Sequence, residues 1–172
     1  LLDIAEAYGK ELEGQEDKLS DPGYLANLLN GVGLQGISSS YAYLVDAEGT
    51  MLYHPTADKI GKSVENSVVK SLVQDLKAGK KVAANVVTYD FKGAVKYASY
   101  YVSSTNAYIL GISADEAEVL KPIRNMAIQG IIITCIIAVL AIVIGRLYAQ
   151  RVTGPIKPIT GMVNRFADMD FT

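Results

Sequence analysis

The sequence has little of the chemistry that catalytic and metal-binding proteins usually display. Among its 172 residues there is one cysteine, Cys135, and one histidine, His54. A single thiol forms no intrachain disulfide and offers no zinc-ligand spacing. The sequence also has no G-x-S-x-G elbow, no phosphate-binding P-loop and no H-E-x-x-H motif. We therefore expect no enzyme activity, no catalytic residue, no metal and no cofactor.

Positive charge is scarce in the first two thirds of the chain. Residues 1–120 contain 16 acidic residues against 10 lysines, whereas residues 121–172 contain 6 Lys and Arg against 2 acids. The first part has no basic patch, so nucleic acid is not an expected partner. The change of sign along the chain predicts different surroundings for the two parts.

One long stretch has no charge at all. Arg124 and Arg146 are separated by 21 uncharged residues. As a helix this stretch measures roughly 30 Å, the thickness of the hydrocarbon core of a bilayer. A buried helix of a soluble protein is the alternative, but a chain of 172 residues is too short to surround it. We predict a transmembrane helix at 125–148, and therefore association with a membrane.

The Lys and Arg residues that flank this helix predict its orientation. Two precede it and four follow it, and the side richer in Lys and Arg usually faces the cytoplasm. We therefore expect residues 1–120 to be extracytoplasmic and residues 150–172 to be cytoplasmic. The first residue is leucine and not methionine, so we also expect the chain to be a piece of a longer protein.

The remaining segments predict a mixed domain. The apolar spacing over 1–19 predicts an amphipathic helix, and Asp21–Pro22 predicts the cap of a second one within a helical region at 1–36. "YAYLV" and "TMLYH" predict a hairpin, and a helix over 64–79 follows it. Three further strands, at 81–90, 94–102 and 107–113, precede a helix that begins at residue 114. This order predicts an α+β domain with a five-stranded antiparallel sheet.

The C-terminal tail has a pattern of its own. Gly154–Pro155 interrupts the helix after the span. Apolar residues then follow at intervals of three, four and three, at Ile156, Ile159, Val163 and Phe166, and a second register beginning at Ile159 fits equally well. Such a seam needs a partner helix, which predicts a homodimer.

In their order, these segments resemble a known family. "SYAYLVDAEGTMLYHP", "KIGKSV" and "VKYASYY…YILGIS" are similar to the single Cache sensor domain of bacterial methyl-accepting chemotaxis proteins, over residues 37–120. "GPIKPI" resembles the start of a HAMP domain, over residues 150–172. The resemblance implies a PAS-like sheet with a long N-terminal helix on one face and a small-molecule pocket on the other. It also implies an organic acid or amino acid as ligand, and a further membrane helix before Leu1.

Tyrosines provide the candidate site. Eight of the eleven lie between Tyr41 and Tyr108, and tyrosine offers an apolar wall with a hydroxyl at its rim. Strand alternation places Tyr41 and Tyr43 on one face and Ala42 and Leu44 on the other. The candidate ligand-binding residues are Tyr43, His54, Tyr89, Lys96 and Tyr100.

Each candidate also has a structural interpretation. Lys96 is a cation in an uncharged strand, able to hold a carboxylate, or it is a solvated surface residue. His54 can donate to a carboxylate and titrates near pH 6.5, or it bonds the backbone of the adjacent loop. The tyrosines form a binding surface, or they are core.

Three functions fit this organisation. The first is the sensor segment of a chemoreceptor, in which a ligand alters how the last strand holds the helix at 114–124. The second is the same sensor attached to a histidine kinase or a nucleotide cyclase. The third is a membrane-anchored binding module without signalling.

Overall fold

The computed structural model describes residues 1–152 of the chain, which separates into two compact units, Leu1–Lys121 and a second that begins at Pro122. The α-helices are α1 (Leu2–Leu12), α2 (Pro22–Leu29), α3 (Ser67–Lys77) and α4 (Glu116–Val152), with 3-10 helices at Glu16–Ser20 and Ala57–Lys59. The strands are β1 (Tyr41–Asp46), β2 (Met51–Tyr53), β3 (Asn85–Phe91), β4 (Ala94–Val102) and β5 (Tyr108–Asp115).

The five strands form one antiparallel sheet in the order β2-β1-β5-β4-β3. The predicted α+β class with a five-stranded antiparallel sheet is therefore confirmed. The last strand in sequence, β5, is the central strand in space, and it is buried from Tyr108 to Ala114. The strand β5 is paired on both sides, and α4 follows directly after it.

The two faces of the sheet have separate cores. Ala42 and Leu44 pack in one cluster with residues of α1 and α2. Tyr43 and Val45 pack in the other with residues of α3. Because successive side chains of a strand point to opposite faces, the alternation in β1 predicts this division correctly.

The predicted elements differ from the structure mainly at their ends. A single helix over 1–19 is wrong, because α1 ends at Leu12 and Gly14 adopts a φ of +73°, a left-handed conformation that ends helices. The second helix begins as predicted, with the Asp21 carboxylate accepting the N–H groups of Gly23 and Tyr24 at 2.9 and 3.2 Å. The last helix begins at Glu116 and not at residue 114, because Asp115 still pairs with Lys96 in the sheet.

Other boundaries also move. The third helix begins at Ser67 and not at residue 64, and Asn66 caps it. The strand predicted over 81–90 occupies Asn85–Phe91. These shifts leave the order of the elements unchanged, so the prediction of topology does not depend on them.

The helix α4 contains the apolar stretch. Its most apolar 18-residue window has a mean hydropathy of 2.9, and none of that window is buried. By length and composition this helix is long and apolar enough to cross a membrane. Gly154–Pro155 and the predicted seam and HAMP start beyond it lie outside the described residues.

A buried hydroxyl completes the hydrogen bonding at the end of α1. The Tyr108 hydroxyl donates to the Gly9 carbonyl at 2.8 Å, while the Glu13 N–H, its usual helical partner, bonds Lys10 instead. Replacing Tyr108 by Phe leaves a buried carbonyl without a donor, which costs about 1–3 kcal/mol.

We expect Tyr108→Phe to lower the free energy of unfolding by that amount, measured by chemical denaturation. Tyr53→Phe is the matched control, since Tyr53 lies in the same core cluster and its hydroxyl makes no hydrogen bond within residues 1–152. Equal stability of the two variants would contradict the assignment.

Candidate functional site

A small cavity lies on the α3 side of the sheet. Its volume is about 50 Å³. It is bounded by residues of β1, β2 and β3 and by the chain between β2 and α3. The lining residues are Tyr41, Tyr43, Met51, His54, Lys59, Lys62, Ser63, Val64, Glu65, Asn66, Tyr89 and Phe91.

Tyr43 is fixed in this cavity from two directions. It is opposite Gly111 on β5, and a Cβ at residue 111 would overlap the Tyr43 ring, so the ring lies directly over the glycine. Asn66 caps α3 with its side-chain oxygen and donates its amide N–H to the Tyr43 hydroxyl at 3.2 Å. Burial raises the pKa of Tyr43, so the hydroxyl stays neutral and keeps its own hydrogen to donate.

His54 has one nitrogen occupied and one available. Its Nδ1 accepts the Thr56 N–H at 2.9 Å, and its ring meets Tyr41 edge-on at 5.0 Å. Burial, with the nearby charge of Lys59, lowers the pKa of His54 to about 4. The ring is therefore neutral near pH 7, and its hydrogen is on Nε2. The alternative expected for His54, a bond to the loop backbone, coexists with its position in the cavity.

The tyrosines on β1 and β3 complete the wall. The Tyr89 and Ser113 hydroxyls are 3.2 Å apart, and the Tyr89 ring lies 6.4 Å from that of Phe91. Burial raises the pKa of both Tyr41 and Tyr89. The wall is therefore made of neutral rings with hydroxyls that donate and accept.

Two of the sequence candidates lie outside the lining. The Lys96 ammonium forms an ion pair with Asp115 and lies 5.8 Å from the centroid of the Tyr41 ring. It therefore already holds a carboxylate, but one from the chain itself. Tyr100 is buried in the core cluster beneath α3. The ligand-binding role of all five candidates stays a prediction.

Charged residues gather at the mouth of the cavity, and sequence reasoning did not single them out. The Lys59 and Lys92 ammonium groups each lie 5.2 Å from the centroid of the Phe91 ring. Lys92 also pairs with Glu65 at 3.0 Å, which joins the β3–β4 turn to the segment before α3. Of these additional residues around the cavity, Asn66 alone has a recognisable signal in the sequence, because an asparagine before an apolar-periodic segment predicts an N-cap.

The arrangement favours a small anion. The cavity offers donors from Tyr43 and His54, and two lysines, Lys59 and Lys62, lie in its lining. The one acid in the lining, Glu65, is already paired with a lysine. Within residues 1–152, no group of three or more His, Cys, Asp or Glu side chains is placed to hold a metal ion.

Comparisons with known proteins give sensory domains as structural neighbours. No family model matches the chain, and no curated protein matches it. It is similar to the ligand-binding domain of the Pseudomonas aeruginosa PAO1 amino acid chemoreceptor PctB in complex with L-arginine, with 20% identity and a TM-score of 0.40 over 62% of this chain and 40% of that one. It is also similar to the periplasmic sensory domain of the Campylobacter jejuni chemoreceptor Tlp1, with 20% identity and a TM-score of 0.45 over 58% of this chain and 36% of that one.

A third neighbour is the extracellular domain of a candidate histidine kinase, mmHK1S-Z2. The identity is 21% and the TM-score 0.45, over 57% of this chain and 38% of that one. The matched region thus spans less than half the length of each of these solved chains. At such scores the likeness carries no argument about a ligand, and the site is defined by its own geometry.

The single histidine predicts a pH dependence of stability. The pKa of His54 is lowered in the fold, so below pH 6.5 the unfolded chain binds a proton that the folded chain does not. Stability therefore falls as pH decreases from 6.5 towards 4. Between pH 7 and pH 5 the expected loss is about 2 kcal/mol.

Chemical denaturation of the wild type and of His54→Asn at both pH values measures this loss. Asparagine keeps an acceptor near the position of Nδ1 but does not titrate. We expect most of the difference between pH 7 and pH 5 to disappear in the variant. A variant that retains the full difference would show that other groups cause it.

Proposed function

We propose that this chain is the extracytoplasmic ligand-sensing segment of a bacterial chemoreceptor, with its membrane helix and the beginning of its cytoplasmic relay. One observation carries the proposal. The donor-lined cavity is built on the same sheet whose central strand, β5, continues into α4, the helix that is apolar enough to cross a membrane. A molecule bound in the cavity would therefore contact the same sheet from which α4 continues.

The ligand we propose is a small carboxylate. Neutral donors inside the cavity and lysines at its mouth suit a carboxylate, whereas an ammonium group is best held by a carboxylate, and the one in the lining, that of Glu65, is paired with Lys92. The volume of about 50 Å³ admits only about three to five water-sized groups. The volume favours a short ligand of either class, and the pairing of Glu65 favours an organic acid over an amino acid, although neighbours such as PctB are amino acid receptors.

The remaining parts of the proposal come from the sequence. They are the position of residues 150–172 in the cytoplasm, the start of a HAMP domain there, and a homodimer held by the seam after Gly154–Pro155. A histidine kinase in place of the chemoreceptor output would use the same sensor.

Thermal shift of the whole chain in detergent micelles tests the ligand class. We expect acetate, propionate or lactate to raise the Tm, and the matching neutral amides, acetamide, propionamide and lactamide, to leave it unchanged. A ligand at 100 times its Kd adds about 2.7 kcal/mol of stability, which is readily measured. Glycine and alanine test the amino acid alternative. A shift from amino acids or amides but not from acids would contradict the carboxylate assignment.

The contribution of the Tyr43 hydroxyl is tested with the acid that gives the largest shift. Tyr43→Phe keeps the ring over Gly111 but removes the donor, so we expect the Kd to rise about tenfold. Tyr53→Phe is the control, because Tyr53 lies outside this cavity. The same Kd in both variants would remove Tyr43 from the site.

The orientation is tested separately, by thiol labelling of intact cells in a Cys135→Ser background. Glu11→Cys is exposed in the first unit, and a membrane-impermeant maleimide should label it. Thr172→Cys should react only after the cells are permeabilised. Labelling of Thr172→Cys in intact cells would reverse the proposed topology.

A further inference from the structure

One carboxylate ties the first turn of α4 to the loop before β1. The Glu118 side chain accepts hydrogen bonds from the Ser38 N–H at 2.8 Å, the Ser38 hydroxyl at 2.9 Å and the Ser39 N–H at 2.9 Å. The Ser39 hydroxyl, together with these donors, lowers the pKa of Glu118 to about 2. The group is therefore charged under all ordinary conditions, and its bonds are of the stronger, charge-assisted type.

The same loop also holds the end of β5. The Asp115 N–H donates to the Ser39 hydroxyl at 3.0 Å, and Asp115 is the last residue of that strand. Two adjacent serines thus contact both sides of the junction where β5 becomes α4.

The first residue of β1 that lines the cavity follows Ser39 by two positions. Tyr41, the first residue of β1, lines the cavity, and Tyr43 follows on the same face. A displacement of β1 along its own axis is passed directly to Ser38 and Ser39, because only Ser40 intervenes.

The start of α4 depends on these side-chain contacts more than the start of a regular helix does, because one backbone hydrogen bond is missing there. Pro122 lies inside α4 and has no N–H to donate to the carbonyl four residues earlier, which is that of Glu118. The first turn therefore lacks one of the backbone bonds that would attach it to the next turn. The bonds that Glu118 accepts join this turn to the loop before β1, within the first unit.

We infer that Ser38, Ser39 and Glu118 form a releasable latch through which the position of β1, and so the state of the cavity, controls the start of α4. This inference rests on the proposed sensing function for the identity of the stimulus, but the latch itself is defined by geometry. A ligand that binds to Tyr41 and Tyr43 shifts β1. The directional bonds of 2.8–2.9 Å from the Ser38 and Ser39 N–H groups then either move Glu118 with the strand or break. Glu118 is a positioning residue, since it does not line the cavity.

The chain contains a matched control for the latch. Glu13 also accepts three hydrogen bonds, from the Tyr101 hydroxyl and from the N–H and hydroxyl of Ser104, at 2.7–2.8 Å. It connects α1 to the β4–β5 turn and does not touch α4. Glu13→Gln thus removes a carboxylate of the same kind, with a similar structural role, away from the proposed path.

The test is hydrogen exchange at the amides of residues 118–121 in the whole chain, reconstituted in lipid nanodiscs. Gly111→Ala perturbs the cavity without any ligand, because the added methyl group displaces the Tyr43 ring. In the otherwise wild-type chain we expect this substitution to change exchange at 118–121 by about fivefold or more. The change should disappear in Glu118→Gln and persist in Glu13→Gln.

A purely structural role for Glu118 gives a different result. Exchange at 118–121 would then rise in Glu118→Gln, yet the additional response to Gly111→Ala would be the same with and without the carboxylate, and this outcome overturns the inference. So does the absence of any response in the wild-type background. If Gly111→Ala shows no cooperative unfolding transition, that variant has not folded, and Tyr43→Phe replaces it as the perturbation. Tyr43→Phe removes the bond to Asn66, and its effect on exchange at 118–121 is judged by the same criteria.

The latch and the sensing function can fail independently. If no acid of the thermal-shift panel binds, the ligand-free comparison above still decides on the latch. If acetate, propionate or lactate raises the Tm but leaves exchange at 118–121 unchanged, the latch is wrong while the binding of small carboxylates stands.

Discussion

The packing of the Tyr43 ring onto Gly111 is the contact on which the cavity depends. Any side chain at residue 111 would occupy the space of the ring, and the ring would then lose its hydroxyl contact with Asn66 at 3.2 Å. Asn66 in turn caps α3, so one contact sets the distance between the sheet and the helix that covers it. Gly111 lies on β5, the central strand, which pairs with a neighbouring strand on each side. The glycine is needed for its missing side chain, and not for an unusual backbone angle.

The sequence predicts those features that depend on neighbouring residues. The alternation in β1 separates Tyr43 from Leu44 because the period of a strand is a local property. The cap at Asp21 is likewise readable, since its partners, Gly23 and Tyr24, follow at once. The uncharged stretch predicts α4 because length and composition suffice. The break at Gly14 is also a local feature, but the apolar spacing over 1–19 continues across it and predicts one helix.

Features that join distant parts of the chain were beyond such reasoning. The sequence presents Lys96 as a cation in an otherwise uncharged strand, yet its partner, Asp115, is nineteen residues away and becomes its neighbour only when β4 pairs with β5. Glu118 and Ser38 are eighty residues apart. Similarly, Phe91 meets Lys59 only because the β3–β4 turn folds towards the segment before α3. Contacts of this kind follow from the register of the sheet, which a single sequence does not fix.

The distribution of charge suits the proposed binding of a small anion. Burying an ammonium or a carboxylate without a partner is costly, so the interior of the cavity uses neutral donors, Tyr43 and His54, while the lysines stay at the mouth. An anion entering this space gains hydrogen bonds from groups already fixed by packing. Those same groups belong to β1 or to the residue that follows β2, so the free energy of binding acts on strands and not on mobile side chains. Because β1 is joined at its beginning to the first turn of α4, a change in that strand has a short, polar connection to the helix.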